Sequence, residues 1–365
     1  MINIHFFPSR KIGWYLARTF LTRSLAVLAG LVVVLMMLDL LGESGDILAA
    51  PGNGEGELWR YVGLRIPQLI QRFMPFSLLL GTLVTLASMN QHSEIISMKA
   101  AGVSAHQIIA PLILASLFLA GANFIFNERI VTRATAALNA WEDVDYGNVP
   151  PETGTQTNVW IRAGDDLIFA SQVTGGGRDT HLRGVRVYDR QGTTLTGTIT
   201  AETARYARPG WELFNVRRFD IQSGQVTQAA SLRMGDDILP IQFTLASVDP
   251  NEQDFWMLRR SIDELERAGR SIRSAESNWW HKISGPLSGV LMPLLAAIAA
   301  FGLARSGQLF LRAVLGMGLG FSYFIADNFA LAMGNFGAYP PLLAAWGPFV
   351  LFALIGETVL IRTEE

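Results

Sequence analysis

Six long apolar runs and one long polar gap organise this chain of 365 residues. The runs are Trp14–Leu41, Ile66–Ser88, Val103–Phe126, Ile283–Ala304, Ala313–Met333 and Leu342–Leu360. Each is near the ~20 residues a helix needs to cross a hydrocarbon core about 30 Å thick, so six spans are predicted. The first run has the outline of a cleaved leader, with Arg10, Lys11, Arg18 and Arg23 ahead of the apolar stretch and Ala49-Ala50 behind it. Counted with its helical lead-in, Ile12–Phe20, it exceeds the roughly 7–15 apolar residues of a leader and reads as a retained helix.

The gap, Asn127 to Lys282, changes period. Asn127–Val144 is predicted to be a helix leaving the bilayer, closed by Pro150-Pro151. From Thr155 to Val248 the pattern is short β-branched and aromatic runs, Val159–Ile161, Leu167–Phe169, Val185–Tyr188 and Trp211–Phe214, separated by Gly- and Pro-containing turns. No helical period intervenes, so a sandwich or jellyroll is expected rather than βαβ units. Asp249-Pro250 ends this region, Asp254–Ala268 reads as a solvated helix stopped at Gly269, and Trp279-Trp280 mark re-entry at a membrane interface. The predicted class is an α+β membrane protein with six transmembrane helices and an extracytoplasmic β-jellyroll domain inserted between helices 3 and 4. Its parts are helices 1–3 in residues 1–126, the inserted domain in 127–282 with its jellyroll at 155–248, and helices 4–6 in 283–365.

Between the second and third runs lies a polar interruption, His92 to Gly102. Ser93 stands at a cap position, Glu94 in the first turn, Lys99 in the last, and Gly102 just beyond. These predict a short helix at about 91–102 with Ile95, Ile96 and Met98 as its apolar face.

Composition sharpens the membrane reading. Charged residues are 16% of the chain, against about a quarter in soluble domains. The net charge of −2 provides no basic surface for nucleic acid. The absence of cysteine excludes disulfides, a thiol nucleophile and Cys-type zinc sites. Arg10, Lys11, Arg18, Arg23, Lys99, Arg305, Arg312 and Arg362 fall in segments on one side, which the positive-inside rule makes cytoplasmic. Both termini and the His92–Gly102 helix are then cytoplasmic, and the β domain is outside.

Enzymatic chemistry finds little support. No lysine follows a glycine, which removes a phosphate-binding loop of the Gly-Lys-Ser/Thr kind. There is no G-x-S-x-G elbow and no H-E-x-x-H, and the five histidines lack ligand spacing. Neither catalysis nor a resident cofactor or metal is expected on this chain. Within the spans, Asp39 and Asp327-Asn328 stand out, because an aspartate at mid-bilayer costs about 2.5–3.5 kcal/mol unless it faces protein or a wet cavity.

Three features together resemble the lipopolysaccharide export permeases of the LptF/LptG family. They are His92-x-Glu94-(apolar)-(apolar)-x-Met98-x-Ala100-x-Gly102 after the second span, the three-plus-three division of spans by a β domain, and Phe321–Asn328 ahead of Tyr339-Pro340-Pro341. Asp327-Asn328, Pro340-Pro341 and Trp280-x-Lys282-Ile283 look more like the G-type member. The resemblance implies a permease subunit in the inner membrane of a Gram-negative bacterium. It implies pairing with an LptF-like subunit on a dimeric LptB-like ATPase that binds ATP and Mg, and delivery of lipopolysaccharide to LptC- and LptA-like periplasmic bridge proteins. On this sequence it makes His92, Glu94, Ile95, Ile96, Met98 and Gly102 the ATPase-coupling segment. Met36, Asp39, Phe324, Asp327 and Asn328 become a lipid-cavity wall, and Trp160, Phe169, Val187 and Phe214 become a lipid path through the jellyroll. One departure is visible: the G-type first span often carries a base one turn before the aspartate, and Leu35–Leu38 is apolar here, leaving Arg60, Arg65 or the partner subunit to supply that charge. Two other readings are a non-transporting envelope scaffold or sensor, and an exporter of another lipid or of lipoprotein.

Overall fold

The computed structural model describes residues 9–148, 156–175, 179–192, 194–236, 238–244, 249–267, 270–301 and 309–364. The chain divides into two compact units, one helical (Met1–Asn148, Pro250–Arg259, Arg273–Glu365) and one built on a β-sheet (Val149–Asp249, Arg260–Ile272).

In the helical unit, α1 (Arg10–Ala49) buries a stripe at every fourth residue: Leu16, Phe20, Ser24, Leu28, Val32 and Met36. Val33, Val34, Met37 and Leu38 face outward and are more than half exposed, an arrangement suited to hydrocarbon and not to water. The helix runs two turns past the predicted Leu41, through Gly42, Glu43, Gly45 and Asp46. α2 (Glu55–Gln91) carries Pro67 and Pro75 inside it. After the short α3 (Glu94–Ala100), α4 (Ala105–Phe126) begins in a capping box, Ser104 with Gln107. It passes through a π-helical turn, Asn127–Val131, into α5 (Thr132–Glu142), so the predicted exit helix continues α4. α8 (Arg273–Phe301) packs against α2, α4, α9 (Leu309–Asn335) and α10 (Pro341–Glu364). The shared core includes Phe20, Leu78, Leu79, Ile108, Leu112, Leu295, Tyr323 and Phe352.

Lipid tails are as apolar as leucine, so close backbone approach, not water exclusion, must hold such helices together. Glycine provides it. A Cβ at Gly81 would overlap Ser24, one at Gly320 would overlap Leu79, and one at Gly356 would press on Leu294. Among the described residues, five helical segments are long and apolar enough to cross a membrane: Arg10–Ala49, Glu55–Gln91, Ala105–Glu142, Val314–Asn335 and Pro341–Arg362.

The β unit is a six-stranded antiparallel sheet in sequential order: β1 (Gln156–Ala163), β2 (Asp166–Thr174), β3 (His181–Gln191), β4 (Thr194–Tyr206), β5 (Trp211–Asp220) and β6 (Val226–Met234). One face carries the core, with Val159, Ile168, Val185, Ile199 and Leu213 packed together with Phe243 of α6 (Ile241–Thr244). The buried positions do not keep a period of two throughout. They are three apart on β2 (Ala170, Val173), β3 (Leu182, Val185), β4 (Ala201, Ala204) and β5 (Leu213, Val216). The register aligns these interruptions in a crease running across Asn158, Ser171, Gly184, Glu202 and Asn215. Asn158, Gly184 and Asn215 have φ of +54° to +59°, and the strands stay paired one-to-one across them, so the crease is a local left-handed turn of the backbone and not a bulge. α7 (Phe255–Arg267) follows; Ala268 and Gly269 of the predicted helix end lie outside the described residues.

Candidate functional site

The His92–Gly102 segment forms α3, and its end is the predicted one. Gly102, at φ +84°, gives its N–H to the Lys99 carbonyl, and Val103 gives its N–H to the Met98 carbonyl, a Schellman stop. Its start differs from expectation. Ser93 is itself left-handed, at φ 60°, outside the extended backbone usual for a capping residue, and its side chain makes no capping bond. The Glu94 carboxylate accepts from the Tyr15 hydroxyl at 3.1 Å, tying α3 to α1. The predicted apolar face also divides. Ile95 is buried and Met98 packs on the helical core, whereas Ile96 is 60% exposed. His92 is exposed, its Nδ1 2.8 Å from the Ser88 carbonyl.

At the far end of α1, Asp39 is held by Arg65 through two bonds, Nε to Oδ2 at 2.9 Å and Nη2 to Oδ1 at 3.0 Å, and by the Tyr61 hydroxyl at 2.7 Å. Arg60 lies 4.4 Å from the ring centre of Trp141. Tyr146 donates to Glu43 at 2.7 Å, and its backbone carbonyl accepts from Asn53. Burial first, then the bond to Glu43, holds the Tyr146 phenol well above its ordinary pKa. Arg65 is therefore not an idle cation: an anion arriving here must compete with a bidentate carboxylate.

Of the other cavity residues, Met36 is buried in the α1 stripe and Asn328 is exposed, its side chain donating to the Phe324 carbonyl. Phe324 meets Phe76 of α2 edge-on at 5.0 Å. Asp327 points into the bundle, not onto an open wall. It is 8% exposed and faces His281 of α8 at 3.8 Å. α1 packs on α2 and α4, and α9 on α2, α8 and α10, so these residues do not form one cluster within the chain.

Sequence reasoning missed a junction at the π turn. Glu128 in that turn pairs with Lys282 of α8 at 3.4 Å, both side chains nearly buried, and accepts the Phe255 N–H at the start of α7. Phe255 stacks on Trp279 at 4.7 Å, and the Trp279 indole donates to the Phe255 carbonyl. The available signal was Glu128 itself, the first carboxylate after the apolar run that ends at Phe126.

In the sheet, Trp160, Phe169 and Tyr188 form an aromatic cluster, Trp160 lying 4.8 Å from Phe169 and 5.8 Å from Tyr188. Val187 lies on the opposite face, in the core, because it is paired with Ile168 one residue out of phase with Phe169. Phe214 is half-buried beside core residue Leu213. The four residues expected to share one path are thus divided between two faces.

A bundle of long apolar helices with outward-facing leucine and valine, in one chain with a six-stranded antiparallel β unit, defines a helical membrane protein that carries a β-sheet unit. Residues 14–362 match the family described as lipopolysaccharide export system permease LptF/LptG, and the chain belongs to that family. It is 26% identical to the lipopolysaccharide export system permease protein LptG of Escherichia coli K12, covering 97% of this chain and 99% of that protein. It is also 26% identical to LptG of Haemophilus influenzae, over 86% of this chain and 89% of that protein.

Proposed function

We propose that this chain is the G-type permease subunit of an ATP-driven lipopolysaccharide exporter. The observation that carries the reading is the near end-to-end match to LptG relatives, with no long region of the chain left over. Six spans, with α8 as the fourth, would place both termini and α3 in the cytoplasm of a Gram-negative inner membrane, and the β unit in the periplasm. The outward apolar faces of α1 (Val34, Leu38) and α9 (Phe321, Ile325) suit a lipid cavity completed by an LptF-like subunit. Asp39, Met36, Phe324, Asp327 and Asn328 then act as wall or wall support. The β unit would be a jellyroll, its crease starting the curvature, with Trp160, Phe169 and Phe214 along the lipid path and Val187 beneath it. It would pass lipid to LptC- and LptA-like bridge proteins.

Energy must reach the cavity from a separate LptB-like ATPase that holds ATP and Mg. α3 is suited to receive it, since it is pinned by Ile95, Met98 and the Tyr15–Glu94 bond while presenting Ile96 outward. The test is reconstitution of the chain with its membrane partner and ATPase. Lipopolysaccharide is expected to stimulate ATP hydrolysis, and Glu94→Lys, inserted normally, is expected to abolish the stimulation. If the lipid stimulates nothing, the export reading fails; if Glu94→Lys responds as the parent does, α3 is not the coupling element.

A further inference from the structure

α8 and α9 bring three titratable side chains together inside the helical unit. Asp327 is 8% exposed, and Tyr323, one turn earlier on α9, is 3% exposed. His281 of α8 places Nε2 3.8 Å from Asp327 Oδ2, beyond hydrogen-bond reach yet close enough for firm attraction away from water. Its Nδ1 is 3.3 Å from Ser284 Oγ. Gly285 leaves room beside the ring, since a Cβ there would come within 3.3 Å of Nε2. The other carboxylate oxygen, Oδ1, and the Tyr323 hydroxyl are both buried without a hydrogen-bond partner, although the phenol faces Asp327 and Ser288.

A carboxylate in this position is costly if it stays charged and unpaired. One proton relieves it in either of two places. On the imidazole it creates an ion pair; on the carboxyl it creates a donor. Several other charged groups on the packed helices have partners of their own or face outward. Lys282 pairs with Glu128, Arg65 with Asp39 and Glu357 with His106, while Arg72 is exposed.

We propose that Asp327, His281 and Tyr323 form a proton-binding site between α8 and α9, holding one proton shared by the carboxylate and the imidazole. Loading takes the proton from hydronium. Release returns it to water and leaves a neutral imidazole beside an unsatisfied carboxylate, which loosens the contact of the two helices. The site does not depend on what the protein exports.

The test is infrared difference spectroscopy on the full chain in lipid nanodiscs, stepped from about pH 5 to about pH 9, the range in which histidine charge changes. Carboxyl and imidazole bands are expected to change together, and the change is expected to vanish in Asp327→Asn. His281→Gln and Tyr323→Phe, which keep side-chain volume, are expected to move the midpoint without altering the thermal melt. An Asp327→Asn spectrum identical to the parent's overturns the proposal. So does an unmoved midpoint in both volume-preserving variants, which alone decide the matter if Asp327→Asn does not insert. Lipopolysaccharide-stimulated ATP hydrolysis, measured separately, reports on the export reading and not on this site.

Discussion

Lys282 and Glu128 show how much a single buried charge can matter here. Their side chains are 8% and 13% exposed, so each charge is the other's counter-ion where little water reaches. Lys282→Met leaves Glu128 buried and unpaired, and is expected to cost about 3–5 kcal/mol, read as a lower unfolding midpoint of the detergent-solubilised chain. Adding Glu128→Gln is expected to recover most of the loss, because the orphaned charge is the costly part. If the double variant is no more stable than Lys282→Met, the pair is not what holds this junction. The sequence singles out Asp39 and Asp327 because carboxylates are rare in apolar runs. It does not reveal their partners. Arg65 and His281 lie on other helices, and only packing shows that Arg65 serves Asp39 while His281, which looks isolated along the chain, faces Asp327.

Elements were legible where one physical signal dominated. Among the described residues, five of the predicted spans coincide with helices long and apolar enough to cross a membrane, because apolar length carries that signal. β1, β2, β3 and β5 were visible as β-branched and aromatic runs. β6 was not, because as an edge strand it is exposed along most of its length and needs no apolar alternation. β4 was hidden by alternating threonines and by the crease, which breaks the period of two between Ala201 and Ala204. The crease makes its own prediction. Gly184 has φ +59°, and a Cβ there would overlap the Ser171 side chain. Gly184→Ala is therefore expected to destabilise the β unit by about 1–3 kcal/mol through backbone strain and steric conflict. Gly192→Ala is the control, since it has φ +64° but open space around it. A larger loss at position 184, followed by thermal melting of the full chain, is the expected result; equal losses would mean that the crease adds nothing beyond a positive φ.

At the scale of the whole molecule, the proposed export role needs a surface that takes work from an ATPase, and α3 offers a division of labour between two adjacent isoleucines. Ile95 is 6% exposed and packs on the helical core, whereas Ile96 is 60% exposed and has no such role. An exposed aliphatic side chain on a rigid, pinned helix is the kind of anchor that fills a partner's pocket, and losing it is felt in binding rather than in folding. Ile95→Asp is thus expected to reduce insertion and thermal stability. Ile96→Asp is expected to leave both unchanged while weakening capture of the ATPase at least about tenfold, equivalent to about 1.4 kcal/mol. The Tyr15–Glu94 bond provides a third arm. Tyr15→Phe keeps the ring and removes only the hydroxyl that holds Glu94, so α3 stays in place with a looser tie to α1. If α3 passes force to α1, this variant is expected to bind the ATPase normally and hydrolyse ATP, yet show less stimulation by lipopolysaccharide. Normal binding with normal stimulation would leave α3 as a docking site and place the transmission of force in another contact.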